Sequence, residues 1–242
     1  MGLKLKHVVG VSVVAGVVGF GYELGYGEID VVRSPRAGAL AAAPNRARLV
    51  TNVRTALANG QLSAALSAAD ELGERYPQDP QAQLNRGYAY RAAGRDLEGF
   101  DGWAMLRVIA GQRDIEELQG SRQLNALYMR GWSRRGMGEI ASSRADFRRI
   151  AETTEASLGI AWGEDGERPA VIEGMGALLA YNLACYWGAA GDVERSLVYW
   201  GVSVEGGYLE NEVIEGWWMV DPDFEDVRDD PRFLEIAERG GD

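Results

Sequence analysis

The sequence predicts an all-α protein, a stack of about four helical hairpins closed by a C-terminal capping unit. Three observations carry this. Gly60, Gly94, Gly138 and Gly191 each end one helix-like segment and open another. Small residues recur at fixed offsets from them: Val53, Gly87, Gly131 and Ala184 seven before, and Ala65, Gly99, Ser143 and Ser196 five after. Four residues beyond the second set stand Ala69, Trp103, Phe147 and Trp200. Two helices approach closely only where small residues sit at the crossing. A residue one turn on, at i+4, lies on the same face and fills the space beside it. Glycine suits the left-handed backbone that ends a first helix.

The first hairpin is expected at Ala47–Ala58 with Leu62–Tyr76, and the second at Gln81–Ala93 with Asp96–Ala110. Gly111–Gly120 is an insertion. The third hairpin is Gln123–Arg135 with Glu139–Ala156, and Gly159–Gly176 reads as a loop with Pro169 and a charged run. The fourth is Glu173–Ala190 with Val193–Glu205. No strand-like alternation persists along the chain. After Gly206, Asp221-Pro222 and Asp230-Pro231 each read as an N-cap aspartate before a proline at the first helical position. Phe224, Val227, Phe233 and Leu234 supply apolar anchors for the cap.

Gly60 and Gly94 stand 34 residues apart, the period of a helix–turn–helix solenoid repeat. The segments LNRGYAYRAAG (Leu84–Gly94), YMRGWSRRGMG (Tyr128–Gly138) and YNLACYWGAAGD (Tyr181–Asp192) resemble the tetratricopeptide repeat. Arg46–Pro77 is a weaker copy whose Pro77 falls at the family's closing proline. The C-terminal run from Tyr181 through DPDFEDVRDDPRF is similar to the variant tetratricopeptide segment that ends such arrays in bacterial proteins. The resemblance implies a tetratricopeptide-like α-solenoid whose job is to bind other chains. The expected division is a signal peptide or membrane anchor at 1–26 and a linker at 27–45, both read from composition, then repeats 1–3 at 46–158. An insertion at 159–176 follows, then a fourth repeat with an acidic capping segment at 177–242.

In that family the first helix of each hairpin lines a groove. An asparagine two residues before the small packing position bonds the ligand backbone in several peptide-binding members. The resemblance places Asn85 and Asn182 there. Arg54, Tyr88, Trp132, Arg91 and Arg135 follow on the same helices, with Tyr128 and Tyr181 just before. The expected groove is aromatic and arginine-rich, suited to an acidic peptide or partner protein. The same aromatics equally suit the core between hairpins. The chain's own acidic end, from Glu205 on, is a competing ligand for the arginines.

Composition narrows function. The net charge is −11, and residues 205–242 hold thirteen acids against three bases. A near-neutral body with an acidic end lacks the basic face of a nucleic-acid binder. Cys185 and His7 are the only cysteine and histidine. His7 lies in the leader, so Ser–His–Asp, Cys–His and histidine–metal arrangements are not expected in the body. No glycine-rich phosphate loop follows a strand. No cofactor or metal is expected. Asp221, Asp223 and Glu225 have calcium-loop spacing without the loop's glycine.

Lys4 and Lys6 precede the uncharged stretch Val8–Tyr22. As a helix this stretch spans about 22 Å, short of the ~30 Å hydrocarbon core. It reads as an uncleaved membrane anchor, a cleaved signal or an apolar leader on a cytosolic chain. The function expected is a non-catalytic interaction module, tethered at or exported across a membrane. A permanent structural subunit is the alternative, and an uncharacterised hydrolase a third.

Overall fold

The computed structural model describes residues 46–95, 115, 118–163, 172, 175–211 and 215–240. They form nine α-helices and no strand. Three hairpins are complete: α1 (Arg46–Ala58) with α2 (Leu62–Arg75), α4 (Ser121–Gly136) with α5 (Ile140–Leu158), and α6 (Ala177–Ala189) with α7 (Val193–Glu205). Between them stands α3 (Pro80–Ala92). The helix expected at 96–110, with Gly99 and Trp103, lies outside the described residues, as does the apolar stretch 8–22. Among the described residues, no helix is long and apolar enough to cross a membrane.

The four turns share one geometry. Gly60, Gly94, Gly138 and Gly191 have φ of 67°, 66°, 81° and 78°. Each donates its N–H to the carbonyl three residues back, and the next residue donates to the carbonyl five back, as in Gln61 to Ala56 and Asp192 to Trp187. This is the Schellman closure, which satisfies carbonyls the helix leaves orphaned. The left-handed φ is why glycine recurs at these points.

The small residues lie at the crossings. Val53, Ala65, Ala69, Ser143, Phe147, Ala184, Ser196 and Trp200 are fully buried. A Cβ on Gly131 would stand 2.9 Å from the Phe147 ring, so α4 and α5 pack with nothing between them. Ser196 Oγ donates to the Ala184 carbonyl at 2.8 Å, keeping the polar residue satisfied at its crossing.

Successive hairpins stack. α2 packs on α3, α5 on α6, and the first helices meet as α1 with α3 and α3 with α4. Glu155 on α5 ties the last stack together. Its Oε1 accepts from Trp162 Nε1 (2.9 Å), Trp187 Nε1 (2.8 Å) and Tyr199 Oη (2.7 Å). The Arg195 guanidinium lies 4.4 Å from the Trp187 ring centroid and 3.8 Å from Glu155 Oε2.

Two boundaries differ from expectation. The helix expected from Glu173 begins at Ala177, after Gly176 in extended backbone. Asp221-Pro222 opens only a 3-10 turn, Pro222–Phe224, not an α-helix. The chain there must drive Phe224 and Val227 into the core, both fully buried. Asp221 still caps, accepting from the Asp223 N–H at 3.1 Å. Asp230 caps α9 (Pro231–Arg239) by accepting from the Arg232 N–H.

The cap is built from α8 (Trp217–Val220), the Pro222 turn and α9. α9 packs on α7, the Pro222 turn on α6, and α8 on α1, so the C-terminal segment crosses the array from its last hairpin to its first. Phe233 stacks on Trp200 with centroids 5.2 Å apart, and Phe224 meets both rings. Burying each phenyl ring contributes roughly 1.5–3 kcal/mol. The first helices are thus covered on both sides, which explains why α6 is buried continuously from Ala180 to Ala189.

Candidate functional site

Every residue expected to line the groove lies on a first helix: Arg54 on α1; Asn85, Tyr88 and Arg91 on α3; Tyr128, Trp132 and Arg135 on α4; Tyr181 and Asn182 on α6. The structure brings them to one inner face, and the cap lies on that face.

The acids of the cap meet the arginines. Arg91 Nη2 donates to both carboxylate oxygens of Glu225 at 2.7 and 2.8 Å. Arg135, itself buried, donates Nη2 to Asp226 at 2.7 Å and Nη1 to the Ala189 carbonyl at 3.1 Å. Arg144, on α5, adds a second bond to Asp226 at 2.9 Å. Burial alone would push the Asp226 carboxyl up, but the bonds from Arg144 and Arg135 hold it below the ordinary carboxylate range. Arg54 does not reach these acids. Its Nε donates to Asn85 Oδ1 at 3.2 Å, and its guanidinium lies over the Trp217 ring at 5.1 Å. The asparagines bond their own helices, Asn85 Nδ2 to the Gln81 carbonyl and Asn182 Nδ2 to the Leu178 carbonyl, both at 2.8 Å.

The aromatics meet two buried aspartates. Tyr181 Oη donates to Asp221 Oδ2 at 2.6 Å, and Trp217 Nε1 donates to the same oxygen at 2.7 Å. Trp132 Nε1 donates to Asp223 Oδ1 at 3.0 Å, and Tyr128 Oη to Asp223 Oδ2 at 3.1 Å. Tyr88 and Tyr128 share a hydroxyl–hydroxyl bond of 3.1 Å. Burial, then the charge of Asp221, raises the Asp223 carboxyl well above its ordinary value. Burial, joined by the aspartates, also raises Tyr88, Tyr128, Tyr181 and Cys185. Burial thus favours the neutral thiol form of Cys185.

Cys185, Asp221 and Asp223 each bring one ligand atom within 4.8 Å of the others. Glu225, third in the calcium-loop spacing, turns instead to Arg91 and Arg135. Above the two aspartates a small cavity remains, lined by Arg54, Tyr88, Tyr128, Leu178, Tyr181, Asn182, Cys185, Tyr208 and Trp217.

Sequence reasoning singled out Asp221 as a cap but not as the acceptor at the centre of this site. The signal available was the pairing of DPD with an unusually Tyr- and Trp-rich set of first helices: buried indole N–H and phenol groups need acceptors. No family model, curated protein or solved structure matches the chain.

Proposed function

We propose that this chain is a non-catalytic, tetratricopeptide-like interaction module, tethered at or exported across a membrane through its N-terminal leader, that binds a peptide or partner protein on the inner face of its first helices. One observation carries the proposal. That face holds a largely non-helical acidic segment, Asp221–Asp226, through side chains from α3, α4 and α6. Gripping a short segment from several successive helices is how such an array would recognise a peptide, with Arg, Tyr and Trp as anchors. The repeated glycine turns and the Gly131–Phe147 crossing support the tetratricopeptide reading of the hairpins.

A peptide-array screen with the whole protein tests it. Retention of a defined peptide class supports the module reading, and retention of none counts against it. The N-terminal residue and membrane fraction of the mature protein test the leader: a soluble chain beginning near Ala43 removes the anchor.

A second reading has its own support. Phe224 and Val227 root the capping segment in the core, so an incoming peptide would not displace it without opening the fold. A partner would then sit permanently on outer surfaces, making the chain a structural subunit. A pull-down that survives high salt favours this reading, because apolar contact is not screened as charge attraction is.

A further inference from the structure

We propose that the cavity between the cap and the first helices binds a primary ammonium group, presented by a small amine or by a lysine side chain. The proposal rests on the reading that this face binds a ligand, and names the chemistry of the part the cap leaves open. With Arg91 and Arg135 paired to Glu225 and Asp226, the open part holds two aspartates and one arginine, Arg54, among aromatic rings.

The two carboxylates at the floor carry the argument. Asp221 and Asp223 are buried, adjacent, and neither forms an ion pair among the described residues. The donors bonded to their carboxylates are neutral, Tyr181, Trp217, Tyr128 and Trp132, while Arg228 donates to the Asp221 carbonyl at 2.7 Å and the charge of Arg135 acts on Asp223 from further off. Arg54 stands nearby, but it is stacked on Trp217 and bonded to Asn85. Two buried like charges with no directly paired cation are costly, and proteins pair such groups or protonate them. The raised proton affinity of Asp223 is the second solution in the empty pocket. A bound cation supplies the first.

An ammonium fits the geometry of what remains. It carries three donors, and each carboxylate has about four lone-pair sites, of which Asp221 uses three and Asp223 about the same. In this reading one donor goes to each aspartate. Tyr88, Tyr128, Tyr181, Tyr208 and Trp217 line the walls, and aromatic rings attract cations. The cavity, about 40 Å³, suits a headgroup rather than a bulky ligand. Leu178, in its lining, is 38% exposed.

The test uses n-butylamine, which copies a lysine side chain, against neutral n-butanol, with NMR of the Trp217 indole N–H as readout. Specific shifts with butylamine, at least tenfold weaker with butanol, are expected. Asp223→Asn should weaken butylamine at least tenfold. Because that variant disturbs the cap, Leu178→Trp serves as an independent block in the lining, expected to weaken binding tenfold with the melting temperature unchanged. Equal response to butanol, or undiminished butylamine binding in Leu178→Trp, overturns the proposal. Tighter binding of a capped lysine derivative than of butylamine identifies a partner's side chain as the source; the reverse identifies a free amine. Acidic peptides retained on the array with no butylamine binding would sink the ammonium site and leave the interaction module standing. Butylamine binding with no retained peptide would do the opposite.

Discussion

Gly188 and Asp223 approach so closely that a Cβ on Gly188 would stand 2.7 Å from the Asp223 carbonyl oxygen. The position corresponds to Arg91 in α3 and Arg135 in α4. Those two hold the cap through long side chains; Gly188 holds it by having none. The backbone of the cap is seated directly on α6, which brings both aspartates over Cys185 and the tyrosines.

Gly188→Ala is therefore expected to loosen the cap while sparing the hairpins. The obstruction is backbone, not the end of a flexible side chain, so the cap must shift. Overpacking of this kind costs on the order of 1–3 kcal/mol. Chemical denaturation should show the loss, and hydrogen exchange should place it at the amides of 217–230. Unchanged protection there would mean the contact does not hold the cap.

Gly131→Leu tests the hairpin crossing. The added side chain enters the Phe147 ring, with first contact at 2.9 Å. A loss of about 1–3 kcal/mol is expected, seen as a lower melting temperature. Leucine favours helix over glycine by up to ~1 kcal/mol, so a net loss despite that gain is the diagnostic sign. An equal or higher melting temperature would place Gly131 away from the crossing.

How the sequence prefigured the fold follows from which signals are local. The Schellman glycines and the small residues at crossings act within a few residues of themselves, so Gly60, Gly138 and Gly191 marked the hairpins at once. The resemblance put the seven groove residues other than the asparagines on the first helices, and they stand on α1, α3, α4 and α6. Their partners were not legible, because contacts such as Tyr128 with Asp223 or Trp187 with Glu155 span 95 and 32 residues. Nothing local distinguishes an arginine awaiting a peptide from one that meets the chain's own Glu225.

Glu155 offers a sharper probe of such a distant network. Glu155→Ala leaves the indole N–H groups of Trp162 and Trp187 and the Tyr199 hydroxyl without their acceptor. A buried donor left unsatisfied costs ~1–3 kcal/mol, so a loss of at least about 2 kcal/mol is expected in urea denaturation. Glu155→Gln keeps an acceptor oxygen and should lose clearly less. Equal losses in the two variants would show that the carboxylate charge facing Arg195, not the acceptor oxygen or the side-chain volume, sets the effect.

The buried aspartates make stability depend on pH in a direction that can be worked out. Burial, then the charge of Asp221, raises Asp223 in the folded state; the bonds from Tyr128 and Trp132 and the charge of Arg135 oppose this without overcoming it. The unfolded value is about 3.9. Between that value and the higher folded one, the folded protein binds more protons than the unfolded chain, so stability falls as pH rises through this window. Each tenfold difference in proton affinity is worth about 1.4 kcal/mol. Asp226 works the other way. Its lowered folded value gives stability that is present above the unfolded value and is lost as pH falls through the folded one. Tyr88, Tyr128, Tyr181 and Cys185, which face the aspartates, are all raised and stay neutral across the window. Asp223→Asn removes the raised carboxyl and leaves Asp226 untouched. As pH rises above the unfolded value, denaturation midpoints should then decline less in the variant than in the parent, while the acid-side loss from Asp226 persists. A parallel decline in both proteins would show that Asp223 is not the group that titrates.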